Sequence, residues 1–241
     1  MKPVVTIDPR LHDAVIFDLD GVVTDTAAIH AAAWKTAFDE FLSRRPRVEG
    51  ENHTPFTDAD YRDFVDGKPR LDGARDFLNS RGVTLPTGSP DERPAETLDG
   101  LVSRKQQVFL ERLGAGVPVF RSTVALVRRL AEAGVATAVY SASRNCEHVL
   151  RVAGLEALFA VRVDGNVAAD LGLRGKPDPD MLVETVGRLG ALPERSVVVE
   201  DAQAGVEAGR SGGFALVIGV DRTGHADELV LHGADVVVSD L

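Results

Sequence analysis

Cysteine occurs once in the 241 residues, at Cys146. That excludes an intrachain disulfide and fits a reducing compartment. Long apolar runs are missing as well. No stretch approaches the ~18 consecutive apolar residues that a membrane-spanning helix needs, and the opening MKPVVTIDPR lacks the apolar core of a secretory signal. A cytoplasmic chain with no membrane partner is therefore expected. Basic residues are outnumbered, with 27 Lys and Arg against 37 Asp and Glu, for a net charge of −10. Without a basic stripe, nucleic acid and anionic lipid surfaces are disfavoured as partners. A small anionic substrate needs only a local cluster of cations and stays open. No G-x-G-x-x-G follows an apolar run, which weakens a dinucleotide-binding reading. Internal repeats and low-complexity tracts are absent too.

Hydrophobic residues make up 44% of the chain, enough for a sizeable core. Short β-branched runs recur along it: Ala14–Phe17, Val135–Tyr140, Phe159–Val163, Ser196–Val199, Ala215–Val220 and Asp235–Val238. Between several of them lie helical patterns, at Ser122–Ala133, Glu147–Ala153, Asp180–Leu189 and Ala202–Ser211. Gly134, Gly154, Gly190 and Gly212 stand where those helices should end. Strands alternating with helices predict an α/β fold with a parallel, Rossmann-like sheet. The rhythm breaks between residues 26 and 116, where Ala27–Ser43 and Leu101–Leu113 read as helices and no strand is convincing. Thr84–Gly100, rich in proline and acid, reads as a long surface loop. The expected organisation is a core domain of residues 1–25 and 117–241 carrying an inserted helical cap domain of residues 26–116.

The stretch AVIFDLDGVVTDT, Ala14–Thr26, ends an apolar strand on two acids, Asp18 and Asp20. Strand residues two apart project to one side, so both carboxylates would face one point beyond the strand. Like charges that close need a proton or a cation between them. Sites in open α/β sheets form at the carboxyl ends of strands. There the other strands supply Ser141, Ala142, Ser143, Arg144 and Asn145 after VATAVY, and Glu200–Asp201 after SVVV, with Lys176 upstream in RGKPDPD. Carboxylate oxygens suit Mg²⁺, and a lysine and a serine hydroxyl suit a phosphate. The set fits phosphoryl transfer, with Asp18 as nucleophile and Asp20 as the proton carrier. A calcium loop is disfavoured because no further ligands follow at loop spacing. A signalling receiver domain, which also uses acids, a hydroxyl and a lysine, is disfavoured by the length of the chain and the inserted region.

The order FDLDG, SAS, GKP and VEDA resembles the four motifs of the haloacid dehalogenase superfamily. Within it, FDLDGVVTDT and SASRN resemble the β-phosphoglucomutases, with shorter likenesses at DGKPR and SRKQQ. The resemblance implies Asp18 as nucleophile and Asp20 as general acid–base. It implies a Mg²⁺ site from Asp18, the Asp20 carbonyl, Glu200 and Asp201, with Glu200 partly in outer contacts. Ser141, Ala142 and Lys176 match the residues that hold the transferring phosphate. Arg70, Ser143, Arg144 and Asn145 match the clamp for a sugar's second phosphate. Arg144 stands where a well-known member has lysine, which keeps the charge and changes its shape. Thr26, His30, Trp34, Gly67 and Lys105 resemble cap and hinge positions that close over the sugar. The expected substrate is a small sugar phosphate, the expected state a monomer, and the expected reaction the interconversion of β-glucose 1-phosphate and glucose 6-phosphate. The rival on the same scaffold is a sugar-phosphate phosphatase.

Overall fold

The computed structural model describes residues 5–88, 97–114 and 116–241. Among them a six-stranded, all-parallel sheet carries the strand order β3-β2-β1-β4-β5-β6. The strands are β1 (Ala14–Asp18), β2 (Ala136–Tyr140), β3 (Val161–Val163), β4 (Ser196–Glu200), β5 (Leu216–Val220) and β6 (Val236–Val238). All five residues of β1 are buried. That is the pattern of a parallel strand covered on both faces, and it explains why AVIF reads as a continuous apolar run rather than an alternating one. The expected α/β class holds.

Chain order outward from β1 runs to β2 and β3 on one side, then to β4, β5 and β6 on the other. The reversal places a switch point at the carboxyl end of β1, between β2 and β4. In-register pairing puts Asp18 opposite Tyr140 and Phe17 opposite both Val139 and Val199.

The chain divides into two compact units, Met1–Asp25 with Val117–Leu241, and Thr26–Gly116. The first holds the sheet with α5 (Arg121–Glu132), α6 (Cys146–Val152), α7 (Gly165–Leu171), α8 (Asp180–Arg188), α9 (Gln203–Ser211) and α10 (Ala226–Leu231). Its core joins Ile16, Tyr140, Val198 and Val217 from the strands to Met181, Leu182 and Val206 from α8 and α9. Each fully buried large apolar side chain contributes about 1.5–3 kcal/mol. The left-handed glycines Gly134, Gly154 and Gly190 follow helices as expected, whereas after α9 the positive φ falls on Gly213 and not on Gly212. Sequence patterning showed no helix over Gly165–Leu171, whose start is set by Asp164 accepting from the backbone of Asn166 and Val167.

The second unit holds α1 (Ala27–Arg44), a short α2 (Asp58–Asp60) running into a π-helical turn (Tyr61–Val65), α3 (Arg70–Ser80) and α4 (Leu98–Leu113). Phe38, Phe56 and Phe77 pack ring on ring at its centre, with centroids 4.3 to 4.9 Å apart. Leu78, Leu98 and Leu101 close around them. The expected loop at Thr84–Gly100 ends early, because Thr97 accepts from Gly100 N at 3.1 Å and starts α4 at Leu98. Residues 89–96 of that expectation lie outside the described residues. No helix among the described residues is long and apolar enough to cross a membrane.

Candidate active site

Three neighbouring strands end on chemistry. Asp18 closes β1, Tyr140 closes β2 just before Ser141, and Glu200 closes β4 just before Asp201. Lys176, from the loop that leads into α8, reaches the same point and is 3% exposed. Its Nζ donates to Asp18 Oδ1 at 2.6 Å and also to Glu200 Oε1. The ammonium sits 4.1 Å from the centroid of the Tyr140 ring. The Tyr140 hydroxyl donates to Glu200 Oε1, while Glu200 Oε2 accepts from the backbone of Asp201 and Ala202 at 3.1 and 3.2 Å. Asp18, Tyr140, Lys176 and Glu200 are all buried.

Asp20 reaches this centre through Ser141, whose Oγ donates to Asp20 Oδ2 at 3.1 Å. The turn that follows is tight. Gly21 at φ 95° donates its N–H to Thr24 O at 2.7 Å. A Cβ at Gly21 would overlap the Asp201 carboxylate, so only glycine lets that side chain lie across the turn. Gly205 in α9 plays the matching part for Glu200, whose carboxylate fills the space a Cβ would take.

Carboxylate oxygens of Asp18, Glu200 and Asp201 lie within 4.8 Å of one another. Burial pushes the Asp18 carboxyl well above its ordinary range, against the pull of Lys176, and Glu200 and Asp20 add to the rise. Burial also works against the Lys176 ammonium, but Asp18 and Glu200 at its head overcome it and hold the lysine charged. One ammonium thus serves two buried acids, Asp18 and Glu200. The donor set is all hard oxygen, and two glycines clear room for it. Both features fit a small divalent cation such as Mg²⁺, whose charge would oppose the effect of burial on the Asp18 carboxyl. Burial likewise drives the Tyr140 hydroxyl upward, with Glu200 adding to it, so it stays a donor.

The Ser141–Asn145 loop is organised by its own hydroxyls. Ser143 N donates to Ser141 Oγ at 3.0 Å and Asn145 N to Ser143 Oγ at 3.1 Å. From the far side, Gly165 N donates to Ser143 O at 3.2 Å and Asn166 Nδ2 to Arg144 O at 3.0 Å. A Cβ at Gly165 would come 2.6 Å from the Ala142 carbonyl. Arg144 is exposed, and Asn145 precedes α6 without a side-chain cap. Cys146 is buried, and burial raises its thiol, as an inert cysteine requires.

The remaining expected residues belong to the second unit. Lys105 Nζ donates to His30 Nδ1 at 2.7 Å and lies over the rings of Trp34 and Phe109, 5.2 and 4.9 Å from their centroids. His30, Trp34 and Lys105 are therefore brought together across α1 and α4. Thr26 is buried, and its carbonyl accepts from His30 N. Gly67 takes φ 71° in the turn before α3, and Arg70 opens that helix with a long 3.4 Å contact to Gln106.

Sequence reasoning passed over Tyr140 and Gly205. Tyr140 stands in an apolar strand run and reads as core there. Gly205 carried the stronger signal, since an isolated glycine inside a helical pattern usually has a packing reason.

A family model described as haloacid dehalogenase-like hydrolase matches residues 12–213. A Mycobacterium bovis protein named β-phosphoglucomutase is 45% identical over 239 residues, covering 97% of this chain and 91% of its own length. A Mycobacterium tuberculosis protein named as an uncharacterized glycosyl hydrolase is 50% identical over 99% of this chain, yet the chain spans only 18% of that protein. Among solved structures, a β-phosphoglucomutase from Clostridium difficile superposes with a TM-score of 0.73 at 22% identity, over 95% of this chain and 91% of that one. At that identity the likeness concerns the fold.

Proposed function

Because the chain belongs to the haloacid dehalogenase-like hydrolase family, we propose that it is a Mg²⁺-dependent phosphomutase that interconverts β-glucose 1-phosphate and glucose 6-phosphate. The observation that carries the reading is the buried assembly of Asp18, Lys176 and Glu200 at the ends of adjacent strands, with Asp20 linked to it through Ser141.

Asp18 Oδ attacks the phosphorus of a bound sugar phosphate. The new O–P bond forms as the bond to the leaving sugar oxygen breaks, giving an aspartyl phosphate. Asp20 delivers the proton to that oxygen and later removes one from the sugar hydroxyl that takes the phosphoryl group back. Lys176 meets a non-bridging phosphoryl oxygen, and Ser141 donates to another. Asp18, the Asp20 carbonyl and Asp201, with Glu200 behind them, would hold the Mg²⁺. That ion supplies positive charge against the phosphate and the developing oxyanion. Thr26–Gly116 acts as the cap, excluding water so that a sugar hydroxyl resolves the aspartyl phosphate. His30, Trp34, Gly67 and Lys105 belong to its substrate side, with Thr26 as a hinge. Arg70, Ser143, Arg144 and Asn145 take the distal phosphate of the bisphosphate intermediate, where a guanidinium offers a two-pronged grip.

The competing reading is a sugar-phosphate phosphatase, which the hydrolase description of the family keeps in play. Phosphorus NMR separates the two. With β-glucose 1-phosphate, Mg²⁺ and a trace of β-glucose 1,6-bisphosphate, glucose 6-phosphate should accumulate much faster than free phosphate. Free phosphate as the main product, unchanged in an Arg70→Lys variant, would replace the mutase by the phosphatase.

A further inference from the structure

Glu200 is saturated. An ionised carboxylate offers about four lone-pair positions, and here Tyr140, Lys176, Asp201 N and Ala202 N occupy four. Two of those contacts come from backbone fixed by the start of α9, and one from Lys176, a long side chain with four rotatable bonds. Only Tyr140 brings a rigid side chain, and it holds both partners at once. Its hydroxyl reaches Glu200 Oε1, and its ring face lies 4.1 Å from the Lys176 ammonium. The residue is 0% exposed, in register with Asp18 on the adjacent strand.

We propose that Tyr140 is a positioning residue for phosphoryl transfer: its hydroxyl and ring fix Glu200 and Lys176 as one unit beside Asp18. The inference rests on the phosphotransferase reading above. Removing the hydroxyl leaves Glu200 Oε1 held by the flexible Lys176 alone, while Oε2 stays on the backbone of Asp201 and Ala202, so the carboxylate and the lysine lose the rigid partner they share. Removing the ring as well takes away the surface that keeps the ammonium over Asp18. The two losses are separable, because Tyr140→Phe deletes only the hydroxyl and Tyr140→Leu deletes both. Outer partners of metal-binding groups typically account for about 10–100-fold in metal affinity or activity.

The experiment compares wild type, Tyr140→Phe and Tyr140→Leu by calorimetric Mg²⁺ titration without substrate and by steady-state hydrolysis of a small phosphate ester. Tyr140→Phe should raise the Mg²⁺ Kd about 10-fold, with KM for the ester little changed. Tyr140→Leu should lower kcat by roughly a further 10-fold, beyond any effect on Mg²⁺. A wild type that binds no Mg²⁺ and turns over no phosphate ester overturns the phosphotransferase reading, and this inference with it. A wild type that does both, with Tyr140→Phe equal to it, overturns the role of Tyr140 alone. So does a fall in kcat that follows melting temperature while Mg²⁺ affinity stays fixed. Should Tyr140→Leu fail to fold, the near-isosteric Tyr140→Phe decides the matter by its Mg²⁺ titration.

Discussion

Replacing glycine by alanine inside a helix ordinarily stabilises it, by about 1 kcal/mol. Gly205→Ala should do the opposite. The position has ordinary helical backbone, so strain is not the reason; the new methyl would occupy the space of the Glu200 carboxylate. Glu200 cannot yield cheaply, because four hydrogen bonds hold it in place. Hydrogen bonds to charged groups contribute about 1.5–3 kcal/mol each, so losing two costs about 3–6 kcal/mol. Subtracting the helix-propensity gain leaves a net loss of about 2–5 kcal/mol. For a chain of this size that lowers Tm by roughly 4–20 °C. Gly187→Ala in α8 is the matched control, since nothing lies within 4 Å of its added methyl. It should be neutral or slightly stabilising. Thermal denaturation of both variants beside wild type makes the measurement, with urea unfolding as a second estimate. If Gly205→Ala matches or exceeds the Tm of wild type, the Glu200 carboxylate is not locked against α9, and the geometry of the acidic cluster must be redrawn.

Asp18→Asn should abolish turnover in a well-folded protein, because the amide has the shape of the carboxylate and none of its nucleophilicity; phosphoryl transfer above background in a wild-type-free preparation would remove Asp18 from that role. Acid should weaken the second unit at Glu51, which Arg45 grips through two hydrogen bonds of 2.8 and 2.7 Å and whose carboxyl is held down at about 2 from an ordinary 4.5, the Arg45 bonds leading and His53 adding. A depressed carboxyl stabilises the fold above its unfolded value and ceases to do so as pH falls through its folded one. The stability gap between wild type and Glu51→Gln in urea melts should therefore be full above about pH 4.5 and close toward pH 2; a gap unchanged between pH 5 and pH 2.5 would refute the pairing.

The strands were legible because parallel strands covered on both faces must be apolar throughout, and AVIF and SVVV could be little else. Their order was not, since apolar runs of similar composition carry no record of their neighbours. The acids and the lysine of the candidate site were legible by type. Asp18, Asp20, Glu200 and Asp201 stand at the ends of apolar runs, where charge has no packing reason to be. Tyr140 was hidden for the converse reason. A tyrosine in a buried strand satisfies the apolar pattern with its ring, and only the fold reveals that its hydroxyl meets a carboxylate from a residue 60 positions away. Asp164 was hidden behind a short helix whose cap is a single aspartate, too little signal against seven residues of mixed character.

The charge in this sheet begins abruptly. One rung inside the site, Phe17, Val139 and Val199 face one another across β1, β2 and β4, all fully buried and all apolar. On the next rung stand Asp18, Tyr140 and Glu200, equally buried, with Lys176 among them. Stability alone does not account for that change. Replacing a buried ion pair by well-packed apolar side chains is often neutral or stabilising by about 1–4 kcal/mol, and the rung below shows that this sheet accommodates such residues. A structural salt bridge would also come balanced, whereas here one ammonium serves the carboxylates of Asp18 and Glu200, with Asp201 beside them. The imbalance fits the roles proposed for this cluster: more acid than one lysine balances, as a divalent cation would need, and a fixed ammonium that would suit a phosphate.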